Sequence, residues 1–181
     1  EDKEIREIAL NCGAEAPFMR PKILAKDSSP TLPVIQDVLK KLKKNEKYIP
    51  DIVTILQPTS PLRKSKHIDE AIDKYIKSKA DSLVSIIETP HNMNPYSVME
   101  KNKDGLLKAF LKYDETKNIR QKKPVFYSRN GAAIYIVNYN CIMGKNSLYG
   151  DSCAPYVMAK EESSDIDDEI DWKIVESFIK K

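Results

Sequence analysis

The sequence predicts an α/β domain built on a mainly parallel sheet, and two observations support this prediction. Residues 51–57 and 82–88 are short, β-branched segments that are apolar on both faces, as is expected of strands buried between helices. Stretches with apolar residues at helical spacing precede, separate and follow these strands. Strands and helices that alternate at this spacing are typical of layered α/β domains.

The first expected elements are two helices. Residues 3–12 carry an apolar helical stripe, and Gly13 follows at the position of a left-handed cap. A short strand is expected at residues 16–18. Residues 20–33 contain several prolines and indicate a loop, after which the helical stripe returns over residues 35–44.

A third helix, over residues 68–76, separates the two buried strands. In residues 89–123 apolar residues become sparse, while lysines and asparagines accumulate. This stretch is either a flexible excursion or an arm that packs on another subunit. The arm is favoured, because so long an excursion inside a compact domain is usually functional.

The last expected elements are strands at residues 125–127, 132–137 and 154–158, and a helix over residues 168–181. The apolar stripe of this final helix should face the core, and it consists of Ile170, Ile174, Val175, Phe178 and Ile179.

Composition limits the classes of protein to which the chain can belong. A chain of 181 residues with 41% hydrophobic content is long enough for one core, so residues 1–181 are expected to form a single domain. The 30 Lys and Arg residues are interleaved with 27 Asp and Glu residues, which favours solvated helix faces over a nucleic-acid-binding surface. No apolar run approaches membrane-spanning length. We therefore expect neither nucleic acid nor membrane as a partner.

The cysteines and histidines indicate a reducing compartment and a carboxylate-bound metal. Cys12, Cys141 and Cys153 are odd in number and form no C-x-x-C pattern, which favours free thiols in the cytoplasm. His67 and His91 are the only histidines, too few for a usual zinc site.

The first candidate site is the proline loop, residues 57–63, which follows the first predicted strand. Open α/β sheets bind ligands at this edge. The Gln57 amide can donate and accept hydrogen bonds to a hydroxylated or carboxylated substrate, and Arg63 can meet an anion. The alternative, which composition alone favours, is a rigid turn in which Thr59 or Ser60 caps the next helix.

The second candidate is the Asn-Gly segment, residues 130–135. By default, Asn130-Gly131 between two strand-like stretches is the tight turn of a hairpin. In the functional alternative, Asn130 faces the same crevice as Gln57.

The third candidate is the acidic segment, residues 163–171. In an extended chain Asp165 and Asp167 point the same way and can converge on one cation, and Mg²⁺ prefers such oxygen ligands. Acidic residues at the start of a helix are equally well explained by the helix dipole. Spacing alone does not separate the two explanations.

Taken together and in this order, the three segments resemble the acylneuraminate cytidylyltransferases, or CMP-sialic acid synthetases. The matching strings are Leu-Gln-Pro-Thr-Ser-Pro-Leu-Arg at residues 56–63, Asn-Gly-Ala-Ala-Ile-Tyr at 130–135 and Ser-Asp-Ile-Asp-Asp-Glu-Ile-Asp at 164–171. The first string is specific. The family pattern is also matched by Arg20-Pro21, Leu24-Ala25 and Asp27, so the resemblance spans the chain. For each of the three segments it favours the functional explanation over the purely structural one.

The resemblance implies a Rossmann-like three-layer fold of the nucleotide-diphospho-sugar transferase type, with residues 89–123 as a dimerisation arm. It implies transfer of CMP from CTP to the anomeric hydroxyl of a sialic-acid-like nonulosonic acid, with release of pyrophosphate, by a homodimer that uses Mg²⁺. Asp165 and Asp167 would hold the Mg²⁺, and one of them would help to deprotonate the sugar hydroxyl.

The resemblance also implies binding residues. Sugar-binding roles fall to Gln57, Asn130, Tyr135, Tyr149 and Arg120, the last through the sugar carboxylate. Arg20, Ser29 and Thr31 match positions that read the cytosine edge.

The sequence departs from the family pattern at two places. Members typically begin with a buried strand and a Gly/Ser/Lys loop that wraps the triphosphate, whereas this sequence opens after them; by resemblance, these residues alone should be inactive. Leu148 and Tyr149 stand where members often carry aromatic residues lining the sugar pocket, which indicates another sugar, with pseudaminic and legionaminic acids as candidates. The alternative function is a non-catalytic domain that only dimerises or binds sugar.

Overall fold

A computed structural model describes residues 1–112, 123–131 and 133–180 of the chain. These residues fall into two compact units. The first unit comprises Glu1–Val53 and Val137–Gly150, and the second comprises Thr54–Ile136 and Asp151–Lys181. A single domain over residues 1–181 stays a prediction.

Apart from the strand expected at residues 16–18, the predicted helices and strands lie close to observed ones, and the structure adds one short helix and two short strands that were not predicted. The helices are α1 (Lys3–Asn11), α2 (Thr31–Glu46), α3 (Ser65–Ser78), α4 (Tyr139–Met143) and α5 (Glu169–Ile179). The strands are β1 (Ile52–Ile55), β2 (Ser82–Glu88), β3 (Met99–Lys101), β4 (Leu107–Ala109), β5 (Tyr127–Arg129), β6 (Tyr135–Asn138) and β7 (Cys153–Val157). In the part of the chain that is described, no helix has the length and apolar character needed to cross a bilayer.

In the first unit, Asp2 caps the start of α1, because its carboxylate accepts two backbone N–H groups of the first turn. Gly13 follows the helix at φ 85°, as predicted. The strand predicted at residues 16–18 is wrong, because residues 14–18 form no strand. Pro17 has no N–H to donate, and the Ala16 carbonyl accepts a hydrogen bond from Arg6 Nε at 3.1 Å instead of from a strand partner.

The sheet is mixed. Strands β1, β6, β2 and β5 are neighbours in that order, and β7 also pairs with β2. Strand β7 runs parallel to β2, whereas β5 runs antiparallel to it, and β3 and β4 form a separate antiparallel hairpin. The α/β class is therefore confirmed, but a parallel sheet is confirmed only for the β2–β7 pair. The chain returns to β2 from a long excursion and pairs with it in the opposite direction.

The prediction of a hairpin turn at Asn130-Gly131 is wrong. Strands β5 and β6, which flank these residues, each neighbour β2 and do not pair with each other. The Ser85 N–H donates to the Ile134 carbonyl at 2.9 Å, so the chain stays beside β2 on both sides of the Asn-Gly pair.

The core of the second unit lies around β2. Helix α3 packs against β2 and β7, and Leu83, Ile134 and Ala71 are fully buried. Of the five residues expected to face inward on α5, only Val175 is buried; Ile170, Ile174, Phe178 and Ile179 are 42–67% exposed, so that prediction is wrong for these four. Periodicity identified the apolar face of the helix, but of its five expected inward positions only Val175 is covered.

Candidate active site

Hydrogen bonds join the three candidate segments within the second unit. The Ile166 N–H of the acidic segment donates to the Thr59 carbonyl of the proline loop at 2.9 Å. The Asn130 Nδ2 donates to Ser163 Oγ at 3.1 Å, which links the Asn-Gly segment to the acidic segment.

Arg63 completes the connection. Its Nη1 donates to the Ala133 carbonyl at 2.7 Å and to the Gln57 carbonyl at 3.0 Å. Partial burial lowers the pKa of Arg63 from its usual value. The guanidinium therefore joins the proline loop to the Asn-Gly segment, and the sequence-based expectation that it meets an anion stays a prediction.

Asn130 is a buried connector. Only 4% of the residue is exposed, its Oδ1 accepts the Ser85 hydroxyl at 2.8 Å, and its Nδ2 donates to Ser163. Both ends of the amide are therefore occupied by protein side chains. This geometry holds the acidic segment against β2, and a direct contact between Asn130 and a sugar stays a prediction.

The Asp165 carboxylate lies directly on Gly131. A Cβ added to Gly131, which has φ 63°, would stand 2.0 Å from Asp165 Cγ, so a side chain at this position would collide with the carboxylate. Among the described residues, the buried side-chain nitrogens and oxygens without a hydrogen-bond partner are Ser60 Oγ and Asp165 Oδ1. A buried, unpartnered carboxylate oxygen is costly unless a cation or a donor meets it.

The remaining acidic residues behave differently from Asp165. Asp168 caps α5 by accepting the N–H groups of Ile170 and Asp171, and Asp171 Oδ2 accepts the Asp167 N–H at 3.1 Å. Asp167 itself is exposed. Helix capping therefore explains Asp168, but it does not explain the position of Asp165.

A buried histidine fixes the turn that leads into the acidic segment. His67 is 3% exposed, its Nδ1 accepts the Lys64 N–H at 3.1 Å, and its Nε2 lies 2.9 Å from Glu162 Oε2. Lys64 Nζ donates to Glu162 Oε1 at 2.7 Å. The pKa of Glu162 is lowered to about 2, first by the Lys64 hydrogen bond and then by the neighbouring positive charges. This His67–Glu162 clamp joins the start of α3 to the turn at Lys160–Glu162.

A pocket of about 670 Å³ opens beside Gly131. It is lined by Tyr127, Ser128, Arg129, Gly131 and Tyr135. Gly131 thus lines the pocket and is also next to the Asp165 carboxylate.

Comparisons with known proteins identify the family. The chain is 31% identical over 181 residues to a Campylobacter coli protein named post-translational flagellin modification protein B, covering 100% of this chain and 75% of that protein. It is 30% identical over 180 residues to the CMP-N,N'-diacetyllegionaminic acid synthase of Legionella pneumophila, covering 99% of this chain and 75% of that protein. An N-acylneuraminate cytidylyltransferase of Streptococcus agalactiae is 30% identical over 172 residues, covering 94% of this chain and 39% of that protein.

The chain belongs to the acylneuraminate cytidylyltransferase family. These relatives confirm the family that was inferred from the three segments. Members of this family are nucleotidyltransferases. No protein-family model matches the chain. A solved CMP:2-keto-3-deoxy-manno-octonic acid synthetase complexed with CTP has a TM-score of 0.68 at 12% identity, with 99% of this chain and 78% of that chain covered. At this identity the likeness supports the fold alone.

The nucleotide-binding positions that the family pattern assigns lie in the first unit. Arg20 donates to Glu1 at 2.7 Å and 2.8 Å, the Ser29 hydroxyl donates to the Ile23 carbonyl at 3.2 Å, and Thr31 begins α2. Their part in reading cytosine stays a prediction.

The remaining assigned sugar-binding residues are distributed as follows. Tyr149 also lies in the first unit and is 36% exposed. Gln57 and Tyr135 lie in the second unit, where Tyr135 is 7% exposed and lines the pocket. Arg120 lies outside the described residues. All four roles stay predictions.

Several residues of the site could not be found by reading the family segments. Ser85 holds Asn130, His67 holds Glu162, and Arg129 lines the pocket. A serine within a buried strand and a histidine within an amphipathic helix carry no special pattern. The only feature of the sequence that pointed to Arg129 was its position directly before the Asn-Gly pair.

Proposed function

We propose that the protein transfers CMP from CTP to the anomeric hydroxyl of a nonulosonic acid of the sialic or legionaminic type, releasing pyrophosphate. The observation that carries this proposal is the convergence of the three family segments around Asp165. The printed names of the relatives support the substrate class, since one is a CMP-N,N'-diacetyllegionaminic acid synthase and another an N-acylneuraminate cytidylyltransferase.

Asp165 and Asp167 are proposed to hold Mg²⁺. Mg²⁺ commonly uses one or two protein carboxylates and completes its shell with water and substrate phosphates. A carboxylate pair is therefore sufficient, although residues 1–112, 123–131 and 133–180 contain no group of three or more potential His, Cys, Asp or Glu ligands. The unpartnered Asp165 Oδ1 fits a cation. When bound, the ion would offset charge on the phosphates.

The other proposed roles are carried over from the family pattern. One of the two aspartates accepts the proton of the anomeric hydroxyl, and Asn130 positions Asp165 by fastening Ser163 to β2. Gln57, Tyr135, Tyr149 and Arg120 orient the sugar. Arg20, Ser29 and Thr31 read the cytosine.

The proposal includes a three-layer, Rossmann-like arrangement and a cytoplasmic homodimer that forms through the arm, residues 89–123. The β3–β4 hairpin of the arm exposes Met99, Leu106, Leu107 and Phe110, which supports a partner surface. Free thiols at Cys12, Cys141 and Cys153 support a reducing compartment.

The test is a product assay with the complete gene product. Incubation with CTP, Mg²⁺ and, in separate reactions, N-acetylneuraminic, N,N'-diacetyllegionaminic and pseudaminic acids should give a CMP-sugar and an equal amount of pyrophosphate with at least one sugar. Omission of the sugar, or chelation of the metal, should stop both products. A gene product that binds an acid sugar but forms no CMP-sugar would overturn the proposal and favour the sugar-binding alternative.

A further inference from the structure

The proline loop contains a second buried oxygen without a partner, and it lies close to Asp165. Ser60 is 1% exposed, and its Oγ, like Asp165 Oδ1, has no hydrogen-bond partner among the described residues. The backbone of Ser60 is used in two turns, because its N–H donates to the Gln57 carbonyl and its own carbonyl accepts the Arg63 N–H, both at 3.4 Å. The backbone is therefore held on both sides, while the hydroxyl is not used by the loop.

Ser60 does not serve as a helix cap. Helix α3 begins at Ser65, and Lys64 is its N-terminal cap residue. The capping role that composition suggested for Thr59 or Ser60 is therefore wrong. A buried hydroxyl without a partner is costly in a folded protein, so the position of the Ser60 hydroxyl needs an explanation outside the proline loop.

A backbone hydrogen bond brings Ser60 and Asp165 together. The Ile166 N–H donates to the Thr59 carbonyl at 2.9 Å. Thr59 directly precedes Ser60, and Asp165 directly precedes Ile166. Covalent geometry on either side of this bond keeps the Cα atoms of Ser60 and Asp165 within roughly 8 Å of each other. One small molecule can therefore reach both side-chain oxygens, which do not hydrogen-bond to each other.

The chemistry of the two oxygens favours water as that molecule. The Ser60 hydroxyl can donate a hydrogen bond, whereas the ionised Asp165 carboxylate only accepts them. A water molecule accepts from the hydroxyl and donates to the carboxylate, so both buried groups are satisfied. A cation in contact with both oxygens would satisfy the carboxylate but leave the hydroxyl hydrogen without an acceptor.

We propose that Ser60 positions the Asp165 carboxylate through one buried water molecule, an inference that rests on the role of Asp165 in the proposed function. A carboxylate has about four acceptor positions, so this water leaves room for the proposed Mg²⁺. Groups that orient a metal-binding carboxylate tune its affinity for the ion without touching the ion. Ser60 is thus a positioning residue that connects the proline loop to the proposed metal site.

The first test measures the Mg²⁺ dependence of turnover in Ser60→Ala, with Ser82→Ala as a matched control. Ser82 is a fully buried serine of the same unit, and its hydroxyl donates to the Ser152 carbonyl at 3.5 Å. Ser60→Ala should raise the Mg²⁺ concentration for half-maximal turnover roughly 10- to 100-fold, the usual effect of losing a group that orients a metal ligand. Ser82→Ala should need as much Mg²⁺ as the wild type. An unchanged Mg²⁺ requirement in Ser60→Ala would overturn the inference.

Mn²⁺ provides a readout that does not need turnover. The electron paramagnetic resonance signal of free Mn²⁺ falls as the ion binds to the protein. With Mn²⁺ added alone to the complete gene product, Ser60→Ala should raise the Kd for the ion by a similar factor, and Ser82→Ala should not. Equal Kd values for the wild type and Ser60→Ala would contradict the role of Ser60.

Stability and a crystal structure decide the inference even if the proposed function fails. Ser60→Ala should lower the midpoint of urea unfolding if the hydroxyl holds a water, whereas removal of an unpaired buried hydroxyl should raise it; a raised midpoint therefore refutes the water. A crystal structure of the complete gene product should show one water within hydrogen-bond distance of Ser60 Oγ and Asp165 Oδ1. An ion bound directly to both oxygens, or no shared water, would refute it too. If the wild type holds this water but forms no CMP-sugar, the proposed function fails and the contact between Ser60 and Asp165 stands.

Discussion

Two aspartates three positions apart have different tasks in the acidic segment. Asp168 accepts two N–H groups at the start of α5, whereas Asp165 lies on Gly131 and keeps a buried oxygen without a protein partner. From the sequence, metal binding and helix capping explained the whole run equally well. The structure divides the run, because the cap is formed by Asp168, whereas Asp165 keeps a buried oxygen that no protein group meets.

This division predicts opposite effects of two substitutions. Asp165→Asn should lower turnover roughly 100-fold or more, as expected for loss of an electrostatic stabiliser at a reaction centre, with little change in the free energy of unfolding. Asp168→Ala should cost about 0.5–2 kcal/mol of stability through the lost cap and keep most of the turnover. Turnover and urea unfolding measure the two effects. Destabilisation by Asp165→Asn with loss of turnover in Asp168→Ala would contradict the assignment.

Gly131 is required for the position of Asp165. A Cβ at Gly131 would approach Asp165 Cγ to 2.0 Å, and the residue has φ 63°, a conformation that costs a side-chain-bearing residue about 1–2 kcal/mol. Gly131→Ala should therefore lower turnover nearly as much as Asp165→Asn does. Gly13→Ala is the matched control, because Gly13 has φ 85° but no atom within 4 Å of an added Cβ. It should lose stability without losing turnover, and an equal loss of turnover in both variants would refute the role of Gly131.

At the scale of elements, local patterns predicted helices and buried strands well. The strand predicted at residues 82–88 is observed as Ser82–Glu88, and the helix over residues 68–76 lies within Ser65–Ser78. Periodicity and apolar content are properties of the segment itself. The antiparallel direction of β5 was missed, since it depends on where a long excursion returns to the sheet.

The His67–Glu162 clamp makes stability depend on pH in the acid range. The pKa of Glu162 is lowered from 4.5 to about 2, so its folded-state pKa lies below the unfolded-state value. The contribution of the charged carboxylate is therefore complete above about pH 5 and is lost as the pH falls towards 2. The difference in unfolding free energy between wild type and Glu162→Gln should shrink as the pH falls from about 5 towards 2.

Urea unfolding at a series of pH values measures this difference. Glu161→Gln is a suitable control, because Glu161 precedes Glu162 in the same turn and the clamp contacts do not involve it. Its difference from wild type should show no comparable decrease between pH 5 and 2. A Glu162→Gln difference that is equal at pH 3 and pH 5 would show that the clamp does not work through the carboxylate charge.

At the scale of the whole molecule, the sequence was a better guide to which segments come together than to the contacts that join them. Loops at the ends of neighbouring strands were expected to converge, and hydrogen bonds do join the proline loop, the Asn-Gly segment and the acidic segment. The partners of Asn130 could not be foreseen, because Ser85 and Ser163 become its neighbours only through tertiary packing. The prediction that the four exposed apolar residues of α5 face the core was wrong for the same reason.

The proposed dimer can be tested at the β3–β4 hairpin. Leu107 is 65% exposed and lies between the exposed residues Leu106 and Lys108. If a second copy covers this apolar surface, Leu107→Asp buries an unpaired charge in the interface and should shift the protein from dimer to monomer. Lys108→Asp, on the opposite face of the strand, is the control and should remain dimeric. Sedimentation equilibrium over a range of concentrations gives the masses, and a wild type that stays monomeric throughout would refute the arm as a dimerisation element.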